Sequence, residues 1–200
     1  TSRDGAVVIS SYSYNNTFEN NTISSNSIRG FYLGVNTREN KIKSNIIFNN
    51  TYGVYVSSSL SNQIIGNNIS NNPFGGIFVF STSTNNNVSN NFLSYNGYAI
   101  SISLSSTNNY IQNNNISNNT NGISIGSDNN VFSWNRIYNN TGSGIVLSSA
   151  NGINITNNSI FSNGADGIYS SGSSSYILEN NISDNAGSGI FIFGNPSPNY

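Results

Sequence analysis

The sequence predicts an all-β solenoid of about eight to nine stacked coils, each of 22 to 23 residues and three short strands. Three observations predict it. Asn recurs without exception in one column (Asn21, Asn45, Asn67, Asn91, Asn114, Asn135, Asn158, Asn180). It recurs again five residues later (Asn26, Asn50, Asn72, Asn96, Asn119, Asn140, Asn163, Asn185), and the period is 21 to 24 residues. An apolar residue precedes each Asn by three positions, and a Gly followed by alternating residues opens the coils with one exception, as in Gly76-Ile77-Phe78-Val79. Chance does not align sixteen Asn, even with 44 in the chain.

The stretch 62–79, NQIIGNNISNNPFGGIFV, is the unit. Its first strand follows the Gly and turns alternate residues to one side, Ile77 and Val79 here, Val54 and Val56 one coil earlier; period-two alternation is the mark of a strand. The second strand centres on Phe18, Ile42, Ile64, Val88, Ile111, Phe132, Ile155 and Ile177. The third centres on Ile23, Ile47, Ile69, Leu93, Ile116, Ile137, Ile160 and Ile182. No stretch shows a 3.6-residue period. Three strands and three bends make one turn of a parallel β-helix, right-handed by the crossover rule for parallel strands. One coil cannot bury its own faces, so stability is collective.

The Asn columns are read as bends. Asn tolerates left-handed backbone better than most residues, and carboxamides stacked at the ~4.8 Å strand spacing can bond as a ladder. Gly30, Gly53, Gly76, Gly122, Gly144, Gly167 and Gly189 are given a similar conformational job, with Ala99 the one departure. Residues 1–200 read as one solenoid domain, with 1–29 an irregular first coil and 194–200 a C-terminal tail. Thr1 in place of Met reads as a processed form or a piece of a longer protein.

Composition narrows the function. Only 6% of residues are charged and the net charge is -1, which gives no reason to expect a nucleic-acid partner. No apolar run approaches the ~18 residues of a membrane span. With no Cys, Met or His, soft and borderline metal ligands are missing, so neither a metal site nor a cofactor is expected.

With its N-x-I-x-x-N-x-I-x-x-N followed by G-I-x-I, residues 12–193 resemble the right-handed parallel β-helix repeat family. Such repeats occur in carbohydrate-binding and sugar-hydrolase proteins, in a periplasmic copper-maturation protein and in many archaeal surface proteins. The resemblance implies the fold far more strongly than an activity. Polysaccharide lyases and hydrolases of this fold cluster Asp on one outer face. Here Asp4, Asp128, Asp166 and Asp184 fall at different points of the coil, and Glu19, Glu39 and Glu179 do not complete a pair. No catalytic residue is assigned and no enzymatic role is expected.

Arg29, Arg38, Lys41 and Lys43 read as a solvated basic patch beside Glu39. The outward position two after the Gly holds Tyr32, Tyr55 and Phe78 in successive coils, then Ser101, Ser124 and Val146, then Tyr169 and Phe191. Cross-strand packing, a subunit interface and a sugar-stacking platform all fit this column. Eleven N-x-S/T sequons, at Asn15, Asn20, Asn49, Asn68, Asn87, Asn115, Asn118, Asn139, Asn154, Asn157 and Asn181, match the number expected by chance, but none lies in a ladder column. All are candidates for outward exposure and glycosylation.

The expectation from sequence is an extracellular or cell-surface structural building block of a layer or filament. Its partner is itself, joined end to end through Val7, Val8, Ile9, Phe191, Ile192 and Phe193 or laterally through Tyr32, Tyr55 and Phe78, with glycans as further partners. The alternative is a carbohydrate-binding or carbohydrate-processing module of a larger secreted protein.

Overall fold

A computed structural model describes residues 5–172 and 174–194. Twenty-five strands and no helix make up these residues, and the strands fall into three parallel sheets. The largest sheet has nine strands: β1 (Val7–Ile9), β4 (Arg29–Leu33), β7 (Tyr52–Ser57), β10 (Gly75–Phe80), β13 (Tyr98–Ser103), β16 (Asn121–Gly126), β19 (Ile145–Leu147), β22 (Ile168–Ser170) and β25 (Ile190–Ile192). The second sheet runs through eight three-residue strands from β2 (Thr17–Glu19) to β23 (Tyr176–Leu178). The third runs from β3 (Thr22–Ser24) to β24 (Asn181–Ser183). Each strand pairs with its counterpart one coil away, the arrangement of a right-handed β-helix, and Ile64 to Val88 and Ile69 to Leu93 show the register.

The predicted inward columns form the core. Val54, Val56, Ile64, Ile69, Ile77 and Val79 are fully buried. Phe18, Ile23, Ile177 and Ile182, in the end coils, pack against the core while half-buried.

The ladders form as predicted, and each amide does more than bond its neighbour. Asn67 Nδ2 donates to Asn91 Oδ1 at 3.0 Å and to the Ile42 carbonyl at 2.9 Å. The same Oδ1 accepts the Asn67 backbone N–H at 2.9 Å. The two side chains together thus satisfy backbone groups of two neighbouring coils at the corner, which meets the requirement that buried polar groups be bonded. A further ladder joins Asn16, Asn40, Asn62, Asn86, Asn109 and Asn130. It stops where Ile153, buried with Ala150, takes the next place; Asn130 Nδ2 donates instead to the carbonyls of Ser106 and Ser127, each at 2.9 Å.

Two conformational expectations are corrected. The ladder Asn are not left-handed; the residue before each one is. At the second bend these are Asn20, Ser44, Gly66, Asn90, Asn113, Trp134, Asn157 and Glu179, with φ between 54° and 65°. The ladder side chain must point inward from an extended residue, so the chain reverses one position earlier. The coil-opening Gly are likewise not left-handed: Gly66 and Gly152 are the positive-φ glycines among the described residues. What Gly53 needs is room, since a Cβ there would lie 2.6 Å from the Gly76 carbonyl oxygen and 2.8 Å from Ile69 Cγ2.

Candidate functional site

The outer face of the nine-stranded sheet carries columns of side chains in register. One runs Val8, Tyr32, Tyr55, Phe78, Ser101, Ser124, Val146, Tyr169 and Phe191, as the spacing predicted. A second, three positions earlier on each strand, runs Arg29, Tyr52, Gly75, Tyr98 and Asn121. Gly75 is the gap that organises both. A Cβ there would collide with the Phe78 ring, so its absence lets that ring lie over the strand until only 8% of Phe78 is exposed.

Around that gap the rings form one continuous surface. Tyr32 and Tyr55 are 6.1 Å apart, and Tyr55 stacks on Phe78 at 6.2 Å and 13°. Phe78 stacks on Phe80 at 5.1 Å and 9°. Tyr52 meets Phe78 edge-on at 4.9 Å, and Phe74 and Tyr98 extend the surface. Rings in these offset and edge-to-face arrangements attract beyond their burial. Beside them a groove of about 330 Å³ is lined by Pro73, Phe74, Gly97, Tyr98, Thr120 and Asn121.

Arg29 lies across this surface, its Cζ 4.7 Å from the Tyr32 ring centre and 4.5 Å from that of Tyr55. Cation–π attraction at these distances holds a guanidinium over aromatic faces. Burial pushes the Tyr55 phenol above its ordinary value; the Arg29 charge pulls the other way, and Tyr52 and Tyr32 add to the rise. The phenol is therefore a neutral donor at physiological pH. The sequence reading placed Arg29 in a solvated patch with Arg38, Lys41 and Lys43. The missed signal was its position directly before Gly30, in the column that also gives Tyr52 and Tyr98.

A second aromatic–arginine group lies on the third sheet. Tyr138 and Phe161 stack at 5.1 Å and 2°, with Arg136 Cζ 4.1 Å above Tyr138 and 4.9 Å above Phe161. A hydrogen bond with Ser117 holds the Tyr138 phenol below its ordinary value, against desolvation and with help from Arg136 and Asn115.

The carboxylates do not converge. Asp128 Oδ1 accepts the Asn151 backbone N–H and Asp166 Oδ1 that of Ser188, each at 2.7 Å, so both close corners between coils. Glu19 pairs with Lys43 at 2.8 Å. Asp4 lies outside the described residues, and no group of three or more His, Cys, Asp or Glu occurs among them.

None of the eleven sequon Asn is buried. Asn15, Asn20, Asn49, Asn118, Asn139 and Asn157 occupy the left-handed positions, whereas Asn68, Asn87, Asn115, Asn154 and Asn181 begin strands. The Oδ1 atoms of Asn115 and Asn154 are nevertheless covered and without a hydrogen-bond partner. Val7, Val8 and Ile9 form one edge strand of the large sheet, with Ile9 buried and Val8 exposed. Ile190, Phe191 and Ile192 form the other edge strand, and Phe191, Ile192 and Phe193 are exposed.

Solved structures share this architecture. The A-module of the mannuronan C-5 epimerase AlgE6 of Azotobacter vinelandii superposes with a TM-score of 0.82 at 18% identity, covering 91% of this chain and 55% of that one. The periplasmic alginate epimerase AlgG gives 0.71 at 18%, covering 83% and 43%. An alginate lyase from Paenibacillus sp. str. FPU-7 gives 0.60 at 12%, covering 94% and 87%. The chain thus spans about half the length of the epimerases. No curated protein matches it in sequence.

These neighbours correct two expectations from the sequence, a non-enzymatic structural building block and the absence of any enzymatic role. These three structures are sugar-processing enzymes, so the fold is one that carries such chemistry, and the carbohydrate alternative is the reading taken forward. The expectation of no enzymatic role rests on the dispersed carboxylates, which exclude a paired-carboxylate site but not other chemistry. The family description "right handed beta helix region" matches residues 1–93 and 90–200, and with its coils in unbroken register the chain belongs to the right-handed β-helix family.

Proposed function

We propose that this chain is a carbohydrate-processing module of a larger secreted or periplasmic protein, and that it acts on an acidic polysaccharide built of uronate units. The observation that carries the reading is the Arg29 guanidinium carbon standing 4.7 Å and 4.5 Å from the ring centres of Tyr32 and Tyr55, beside a stacked aromatic face. Aromatic faces take the C–H face of a pyranose ring, and a guanidinium pairs with a carboxylate through two parallel hydrogen bonds. The two together select a sugar that carries an acid. Alginate, the polymer named for the structural neighbours, is such a chain.

The same groups suit proton transfer at the carbon beside a uronate carboxylate. Arg29 neutralises the carboxylate and thereby stabilises negative charge that develops on it when that carbon gives its proton to a base supplied by solvent or by the rest of the larger protein. The neutral Tyr55 phenol can donate to a sugar oxygen or return a proton.

Calorimetry with mannuronate oligomers, with products followed by proton NMR, tests this. Wild-type protein should bind the oligomers and ignore neutral mannan oligomers, and Arg29→Gln should weaken binding about tenfold, the effect of ~1.4 kcal/mol. Epimerised or unsaturated product that disappears in Tyr55→Phe would complete the assignment. Failure of wild type to bind any uronate oligomer, or equal binding of neutral ones, would overturn it.

A further inference from the structure

The corner that follows the long strand in the first two coils holds a separate cavity of about 190 Å³, lined by Tyr12, Tyr14, Asn36, Arg38 and Leu60. We propose that this corner is a second acidic-sugar subsite taking a single uronate ring, a proposal that rests on the uronate reading above.

The cavity is below the ~300–1,000 Å³ of pockets that engulf drug-sized ligands, which suits one ring of a polymer whose neighbours stay in solvent. Its aromatic walls are open: Tyr12 is 73% exposed and Tyr14 56%. Exposure on this scale is wasteful for a packing role and useful for stacking a pyranose.

The backbone builds the corner deliberately. Tyr14, Arg38 and Leu60 are joined by successive parallel bridges, so their side chains stand in one column at coil spacing. Tyr12 sits at φ 64°, a left-handed conformation that is unfavourable for a residue with a Cβ. Thr82 and Ser105 also occupy left-handed positions after the long strand, in later coils. Only the first coil puts a tyrosine there.

Arg38 supplies the acid specificity. Its Cζ stands 5.3 Å from the Tyr14 ring centre, which leaves the guanidinium edge for a carboxylate. The Asn36 carboxamide lines the same cavity and can bond ring hydroxyls. Charge points the same way. Arg29, Arg38, Lys41 and Lys43, four of the six cations of the chain, lie in one coil, with Glu39 the one acid between them. With Glu19 paired to Lys43 and Glu39 counted, a positive excess still remains around β4, whose two ends carry Arg29 and, beyond the turn, Arg38. A uronate polymer held on the aromatic face by Arg29 can pass around the corner and place another carboxylate at Arg38.

The test is NMR of the nitrogen-15-labelled protein, following the arginine Nε–H signals during titration with mannuronate disaccharide, with mannobiose and sodium acetate as controls. The Arg38 and Arg29 signals should both shift saturably with mannuronate and not with the controls. Arg38→Gln and Tyr14→Ala should each weaken binding of the mannuronate hexamer about tenfold while leaving the Arg29 shift with disaccharide in place. If Arg29 responds and Arg38 does not, the corner subsite is wrong and the aromatic face stands. If Arg38 responds and Arg29 does not, the corner stands and the aromatic-face reading falls. Silence at both, or equal shifts with acetate, overturns both.

Discussion

Replacing one ladder amide tests whether these side chains hold the coils together or merely line the corner. Asn91 is fully buried in the middle of its column. Its Oδ1 accepts the Asn67 backbone N–H at 2.9 Å and the Asn67 Nδ2 at 3.0 Å. Its Nδ2 donates to Asn114 Oδ1 at 3.0 Å and to the Ile64 carbonyl at 2.9 Å. Asn91→Ala removes all four of these bonds where water has no easy entry. At a net ~1 kcal/mol each, the loss is about 4 kcal/mol, a large part of the ~5–15 kcal/mol that holds a domain together. Asn91→Asp keeps the shape but puts oxygen against the Asn114 Oδ1 and the Ile64 carbonyl. Burial without a cation raises its folded-state pKa above the ~3.9 of an exposed carboxyl. That variant should therefore be most stable below the unfolded-state pKa, where its hydroxyl donates, and should lose stability as pH rises through the folded-state value. Urea unfolding measures the first effect, and the same titration repeated from acid to neutral pH measures the second. Amide exchange at Asn67 supplies a local readout, since a solenoid can open coil by coil. A loss under about 1 kcal/mol for Asn91→Ala, with the Asn67 amide still protected, would refute the reasoning.

Three further outcomes follow from the same geometry. Ile116→Asn buries an amide in a fully apolar column and should cost several kcal/mol, seen as a lowered thermal midpoint; an unchanged midpoint would mean that the residue faces outward. Gly75→Ala should displace the Phe78 ring, which near-ultraviolet dichroism reports, and should reduce uronate affinity more than it reduces stability. The two perturbed phenols should titrate on opposite sides of ~10. Tyr55, raised in the folded state, contributes stability that is complete below the unfolded value and is lost as pH climbs through the folded one. Tyr138, lowered, adds stability as pH rises from its folded value to the unfolded one. Phenolate absorbance should lose its early component in Tyr138→Phe and its late component in Tyr55→Phe.

Most of the scaffold was legible because its determinants are periodic. The Asn and aliphatic columns fix which residues align between coils, and the aromatic column Tyr32, Tyr55 and Phe78 came out in the register that the spacing implied. Backbone conformation at the bends was not legible. A side chain can be tied to a column by chemistry, but the left-handed residue is defined only by where the chain must reverse, and positions as different as Trp134 and Glu179 fill it. The Arg29 site was half visible. Its aromatic partners announced themselves by repetition, whereas a single arginine has no period and acquires meaning only when two coils bring it over two rings. Function was the least legible: the aromatic column fits packing, an interface or a sugar-stacking platform equally well in sequence, and nothing periodic ties Arg29 to it.

The coils differ in length yet their ladders stay closed: successive Asn in the second column are 22, 24, 23 and 21 residues apart from Asn45 to Asn135, with amide contacts of 3.0 Å throughout. The step from the second column to the third is constant, so the variation falls at the corners before and after the long strand. Val56 to Asn62, Val79 to Asn86 and Ile125 to Asn130 each take a different number of residues to turn the same corner. Those two corners flank the aromatic sheet. Corners can therefore lengthen or shorten on either side of that sheet while the second Asn ladder stays closed. New walls for a ligand can be added where a ligand would lie, and a stack of near-identical coils can present a different margin at every level.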